Sequence, residues 1–179
     1  MIYFSADWHL GHTNIIRYCD RPFSSSEEMD DCIMSNTNSI MTDKDELYLL
    51  GDFTLLGTNV AIDYISRLNI KRIYIIPGSH DVRFLGKKSE RAAYVEQQTQ
   101  GKAKILPALL TLRHEGQRIV LCHYSMRSWD GSHHGSWHLH GHSHCKLPPH
   151  GRSMDVGTDC HGFKPVSFEQ VKKVIEERE

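Results

Sequence analysis

Short β-branched and aromatic runs that end in polar residues alternate with longer amphipathic segments through the first hundred residues of the chain. IYFSA at 2–6, ELYLLGD at 46–52 and RIYIIPGSHD at 72–81 share one design, a buried strand that delivers polar side chains at its carboxyl end. Serines at 24–26 precede Glu27 and Glu28 in capping-box spacing, which predicts a helix running to about residue 41. In NVAIDYISRL, Val60, Ile62, Ile65 and Leu68 fall mainly on one helical side. The good helix formers of KKSERAAYVEQQ predict a further helix over 87–98.

Strand followed by helix, three times over, implies a parallel sheet with right-handed crossovers. Ligands bind such sheets at the carboxyl ends of the strands, where Asp7, His9, Asp52, Ser79 and His80 fall. The second half changes character. Candidate strands at 103–106, 109–114, 118–123, 136–141 and 153–157 have no long helix between them, so a more antiparallel sheet is expected there, closed by a helix at 167–178. No linker composition or internal repeat interrupts the chain, and residues 1–179 are read as a single domain. The longest polar loop, 125–136, is a candidate substrate-facing segment.

Composition narrows the class. With 39% hydrophobic and 24% charged residues among 179, the chain reads as globular, and 21 basic against 22 acidic residues leave a net charge of −1. That balance carries no polybasic footprint, so a duplex nucleic acid is not an expected partner. No apolar run approaches the roughly 18 residues of a membrane span, and the N-terminus lacks the pattern of a signal peptide, so a cytoplasmic protein without a membrane partner is expected. Five cysteines without a CxxC pair are read as reduced, mostly packing thiols.

Histidine is the outlier, with 13 in the chain and six of them between residues 133 and 144, interleaved with Gly, Ser, Trp and Leu. This favours a metal site over a tag-like tract. The candidate constellation is Asp7 and His9 after the first strand, Asp52 after the second, Ser79, His80 and Asp81 after the third, His123 ending IVLCH, and His142 and His144 in GHSH. Carboxylate and imidazole suit Mn, Fe, Zn or Ni, and ligands at strand ends converge without backbone movement. Each piece alone is a weak signal, because isolated histidines at strand ends are more often core residues.

In order, DWH at 7–9, GD at 51–52, GSHD at 78–81, His123 and GHSH at 141–144 resemble the motifs of the calcineurin-like metallophosphoesterase superfamily, and the flanking segments resemble a small bacterial and phage branch of phosphoesterases. The resemblance implies an α/β fold, a two-sheet sandwich flanked by helices in four α/β/β/α layers. It implies two divalent metal ions, Mn above Ni, Co, Fe or Zn. Asp7, His9 and His144 would hold the first, His123, His142 and position 79 the second, with Asp52 bridging. It further implies a phosphohydrolase in which metal-bound hydroxide attacks phosphorus while His80 assists the leaving group and Asp81 orients the His80 ring. One position departs from the pattern: the superfamily usually has Asn where this chain has Ser79, a shorter and poorer ligand, which weakens the second site.

Small mono- or diesters, nucleotide-like ones first, rank as substrates above DNA, and both above phosphoproteins. His12, Asn14, Arg17, Arg21, Arg127, His133 and His134 are candidate substrate contacts. For His12 and Asn14, a helix cap at Thr13 or Asn14 is a competing reading, and arginines are more often solvated than ligand-bound. Trp129 and Trp137 are stacking candidates, Trp137 competing with a core role, while His138 and His140 are read as sheet residues. The competing function is a catalytically weakened metal-binding module that holds a phosphorylated ligand or protein partner, for which Ser79 speaks. A serine hydrolase built on Ser125 and His123 lacks a GxSxG elbow. Oligomeric state has no signal in the sequence.

Overall fold

Two β-sheets, each with one face toward the other, form the centre of the protein in its computed structural model, which describes residues 1–86 and 89–178. The first sheet has the order β4-β3-β2-β1-β9, from β1 (Ile2–Ser5), β2 (Glu46–Leu49), β3 (Arg72–Ile75), β4 (Ala103–Ile105) and β9 (Val166–Ser167). Its first four strands are parallel, as the repeated strand-helix pattern predicts, and β9 is antiparallel to β1. The second sheet has the order β5-β6-β7-β8, from β5 (Leu109–His114), β6 (Gln117–Cys122), β7 (Trp137–His140) and β8 (Ser153–Asp155).

Alternation along the strands divides the core in two. Leu47 and Leu49 of β2 face a cluster shared with Met29, Ile33, Ala61, Ile65 and Val95 of helices α2 (Ser26–Ile40), α3 (Thr58–Arg67) and α5 (Ser89–Gln98). Phe4, with Leu50 and Ile76 just past β2 and β3, meets Ile119, Leu121, Trp137 and Leu139 of the second sheet. Helix α6 (Phe168–Glu176) inserts Phe168, Val171 and Ile175 into this inter-sheet cluster. Period two in the strands therefore becomes two hydrophobic layers, the expected two-sheet sandwich flanked by helices.

Local signals set the helix ends. Ser25 caps α2 by accepting from Glu28 N, and Ser24 N donates to the Glu28 carboxylate at 2.7 Å. Ser167 and Gln170 form a reciprocal capping box at the start of α6. Two short helices, α1 (Thr13–Tyr18) and α4 (Val82–Leu85), follow the first and third polar motifs. His12, without a side-chain bond, occupies the N-cap of α1, so neither Thr13 nor Asn14 is its cap. The expected 87–98 helix is seen as α5 from Ser89, and residues 87–88 lie outside the described residues.

The second half differs from expectation in two respects. The strand at 103–105 joins the first sheet beside β3, and within the second sheet β5 and β6 are antiparallel while β6, β7 and β8 run parallel. Long loops at 123–136 and 141–152 carry the chain back for each parallel return, a job the sequence reading reserved for helices. Cys145 and Cys160 are joined as a disulfide, so the reading of all five cysteines as reduced thiols holds for Cys19, Cys32 and Cys122 only. Among the described residues no helix is long and apolar enough to cross a membrane.

Candidate metal centre

The centre is assembled where β1, β2, β3, β6 and β7 end. Past β1 the chain leaves the sheet but stays tied to the next strand's exit: Asp7 N donates to Gly51 O at 3.0 Å and His9 N to Asp52 O at 2.9 Å. Asp7, His9, Asp52, His142 and His144 all have left-handed backbones, with φ between 46° and 65°. Non-glycine residues enter this region at a cost of order 1 kcal/mol each, and the turn it makes directs successive side chains to one side. Gly78 makes the close approach possible, because a Cβ there would collide with the Asp52 carboxylate.

Two groups of donor atoms result. Asp7, His9 and His144 each offer one atom within 4.8 Å of the others, and Asp52, His123 and His142 do the same. Asp52 Oδ2 lies between the groups, 3.7 Å from His9 Nε2 and 3.3 Å from His123 Nε2. Asp7, His9, Asp52 and His123 are at most 1% exposed, yet Asp7 Oδ1, both ring nitrogens of His9 and His123 Nε2 have no hydrogen-bond partner. A buried polar atom left unpaired costs about 1–3 kcal/mol. Two of these orphans, His9 Nε2 and His123 Nε2, flank the Asp52 carboxylate, and mixed carboxylate and imidazole donors fit a divalent cation.

Electrostatics agree with that fit. Burial pushes the Asp7 carboxyl up to about 7 against the pull of His144 and His123, and pushes the His9 ring down to about 2. Burial would also raise Asp52, but the His123 ring beside it holds its carboxyl well below the usual range. His123 itself, disfavoured as a cation by burial, is lifted to about 8 by Asp52 and Asp7. Asp52 and His123 thus stabilise each other's charge, whereas burial opposes charge on Asp7 and His9.

Surrounding bonds aim the rings. His123 Nδ1 donates to Leu50 O at 2.8 Å, leaving Nε2 toward Asp52. His144 Nδ1 donates to Asp159 at 2.7 Å, and Asp159 receives two further bonds from Arg21, each 2.8 Å. His142 N donates to Asp7 Oδ2 at 2.8 Å. Asp159 was missed in the sequence, where a lone acid in a short TDC turn has no motif. A carboxylate behind each metal-binding imidazole is the general signal that would have prompted a search for it.

Five of the expected site residues are placed elsewhere than expected. Asp81 is fully buried and accepts from the backbone N–H groups of Asp52, Phe53 and Gly78 at 2.8–2.9 Å, so it fastens the second and third motif loops together rather than orienting the His80 ring. Arg21 is 4% exposed and donates to Asp159 and to the carbonyls of Asp7 and Trp8, so it braces the centre and has no free edge for substrate phosphate. Arg127 and His133 line a separate cavity of 440 Å³ with Trp129, and His134 lines one of 300 Å³; among the described residues no hydrogen bond, ion pair or ring contact links them to the two donor groups.

His80, Ser79 and His12 lie at the centre. His80 keeps Nε2 3.9 Å from Asp52 Oδ2 with its side chain 46% exposed, and its backbone N–H donates to Asp52 Oδ1 at 2.8 Å. Ser79 Oγ donates to Asp52 Oδ2 at 3.1 Å. The His12 ring lies 5.6 Å from that of His9 and 6.4 Å from that of His80, with Nδ1 buried and unpartnered. Asn14 and Arg17 are exposed on α1, Arg17 over the Tyr18 ring. Trp137 packs against Phe168 in the core, and His138 and His140 are buried in β7.

No family model matches the chain. It is 32% identical to the uncharacterized protein MJ1445 of Methanocaldococcus jannaschii over 98% of this chain and 91% of that protein. Its fold is similar to that of AQ665, a protein of unknown function from Aquifex aeolicus, with a TM-score of 0.70 at 21% identity over 98% of this chain and 99% of the other. A novel archaeal phosphodiesterase aligns with a TM-score of 0.52 at 14% identity over 87% and 81% of the two chains. The chain belongs to the family of MJ1445, and its two-sheet fold is similar to those of AQ665 and the archaeal phosphodiesterase.

Proposed function

We propose that this protein is a phosphoesterase dependent on two divalent metal ions, Mn foremost, and that it acts on small phosphate mono- or diesters of nucleotide-like kind. The observation that carries the reading is the position of Asp52 Oδ2 between His9 Nε2 and His123 Nε2, with unpartnered donors on both sides. Asp7, His9 and His144 would hold one ion, His123 and His142 the other, and Asp52 both; Ser79 stands where it adds little beyond its bond to Asp52. Bound there, such ions supply a water nucleophile ionised near neutral pH and neutralise charge on the phosphoryl group.

The chain's own residues do the rest. His80 presents an accessible imidazole at the rim of the centre, suited to holding a proton for the departing alcohol oxygen. Its place is set by its backbone bond to Asp52. The His12 ring, 6.4 Å from that of His80, is a candidate contact for a phosphate oxygen. A net charge of −1 favours small esters over a long nucleic-acid track. The described activity of the archaeal phosphodiesterase with this fold is in keeping with diesters among them.

Turnover of chromogenic phosphomonoesters and phosphodiesters by metal-stripped protein, before and after adding Mn²⁺, tests the reading. Activity that appears only with metal is expected. Metal binding without turnover of either class would favour the competing reading, a binding module for phosphorylated ligands.

A further inference from the structure

The disulfide between Cys145 and Cys160 lies directly beside the centre. Cys145 follows His144 and Cys160 follows Asp159, so the bond joins the same two segments as the 2.7 Å hydrogen bond from His144 Nδ1 to Asp159. Their Cα atoms are 5.5 Å apart, within the range that a disulfide spans without moving the backbone. The loop it clasps is an unfavourable one: His142, His144 and Cys145 have φ of 65°, 46° and 64°. Such conformations persist only where surrounding bonds over-determine them. Besides the clasp and the His144–Asp159 bond, the residues after His142 are held by the side chain of Asp155, which accepts from Ser143 Oγ and, at 3.3 Å, from Cys145 N, and by Lys146, whose N donates to Ser143 O at 2.9 Å and whose Nζ donates to Tyr18 O at 3.2 Å.

The pair is also reachable. Cys145 is exposed and Cys160 half-buried, and both open onto a cavity of 310 Å³ whose walls include Leu147, Pro148 and Pro149, with His161, Arg178 and the Asp155 carboxylate, already engaged by Ser143 and Cys145, among its polar groups. That cavity can admit a small disulfide with carboxylate groups.

We infer that Cys145 and Cys160 form a site of reversible thiol–disulfide exchange with a low-molecular-weight anionic disulfide, and that the state of the pair sets the grip of His144 on metal. The second half rests on the reading of His144 as a ligand. In the oxidising direction, the Cys145 thiolate attacks one sulfur of the small disulfide RSSR, forming a mixed disulfide and releasing RS⁻, which takes up the proton given up by the Cys145 thiol and leaves as RSH. The Cys160 thiolate then attacks Cys145 Sγ, forming the intramolecular bond and releasing a second RSH. Two protein thiols are oxidised, one RSSR is reduced to two RSH, and the two thiol protons leave with them. Reduction opens the clasp, leaves the strained loop to the hydrogen bonds alone and loosens His144.

Full-length protein treated with oxidised glutathione, or with a phosphine reductant that is then removed, tests this by thiol counting, peptide mapping and Mn²⁺ titration. The oxidised form is expected to lose two of five reactive thiols, mapped to Cys145 and Cys160. Reduction is expected to raise the Mn²⁺ concentration for half-occupancy about ten- to a hundredfold, the range for losing support behind a metal ligand. Cys145→Ser should keep the Mn²⁺ affinity of the reduced protein under both treatments, Cys160→Ser should trap glutathione on Cys145 as the unresolved mixed disulfide, and Cys32→Ser should respond like the parent. Failure of the pair to form, or pairing of either cysteine with Cys19, overturns the exchange site. Equal Mn²⁺ affinity in both forms overturns the gating alone, whereas no binding in either form overturns the metal reading and the gating with it.

Discussion

Oδ2 of Asp159 accepts from His144 Nδ1 at 2.7 Å and from Arg21 Nη2 at 2.8 Å, and the same Nη2 donates to the backbone carbonyl of Asp7 at 2.7 Å. One buried carboxylate-guanidinium couple thus ties the backbone of the first motif to the ring of the last. It fixes the tautomer of His144 with Nε2 left for the centre, and it positions Asp7 without touching its side chain.

Asp159→Ala should therefore act at a distance. Arg21 is left as a buried cation without its partner, which costs about 3 kcal/mol or more, and His144 loses the bond that orients it. Thermal unfolding should show the loss of stability, and metal titration a drop of about ten- to a hundredfold in affinity. Unchanged metal affinity would mean that the couple serves only the fold.

The pH dependence of metal binding follows from His123. Its ring is raised from 6.5 to about 8, against the effect of burial, by Asp52 and Asp7. In the metal-free protein this protonated ring contributes stability that is fully present below about 6.5 and lost as pH rises through about 8. A bound cation needs the ring neutral, so metal affinity should rise across the same window while the unfolding temperature of metal-free protein falls. Titrations at pH 6, 7 and 8 check both signs, and a flat metal affinity would remove His123 from the centre.

Much of this arrangement was legible because it lies at strand ends. IYFSA, ELYLLGD and RIYIIPGSHD mark their strands by β-branched and aromatic residues, and a parallel sheet must present Asp7, Asp52 and His80 on one side. What stayed hidden depends on contacts remote in sequence. Arg21 looks like any surface arginine until Asp159, at the other end of the chain, is folded against it. Asp81 reads as a partner for its neighbour His80, but three backbone amides converge on it first. Nor did the odd cysteine count show that two loops would bring Cys145 and Cys160 together.

His80→Ala should lower turnover by roughly two to four orders of magnitude, the range for a positioned acid or base, and leave metal content nearly unchanged. Its ring nitrogen, 3.9 Å from Asp52 Oδ2, is among the accessible groups of the centre, and neither donor group includes it. A substrate with a good leaving group should recover part of the loss if His80 protonates the departing oxygen. Loss of metal in this variant would make His80 a ligand instead.

Ser79→Asn addresses the one departure from the superfamily motif. The serine hydroxyl is engaged with Asp52 Oδ2 at 3.1 Å, whereas an amide oxygen reaches farther. The substitution should tighten the second ion and lower the metal concentration for half-maximal activity, with about 1.4 kcal/mol corresponding to a tenfold gain. No change in metal dependence would show that the hydroxyl or solvent serves as well.

The metal content of Asp52→Ala, measured by elemental analysis beside the parent protein after loading with Mn²⁺, bears most directly on the two-metal centre. Asp52 Oδ2 is the atom within 3.7 Å of His9 Nε2 and 3.3 Å of His123 Nε2. The parent should carry two ions per chain, and the variant should lose both together. Retention of one full ion in the variant would contradict the bridging carboxylate on which the account depends.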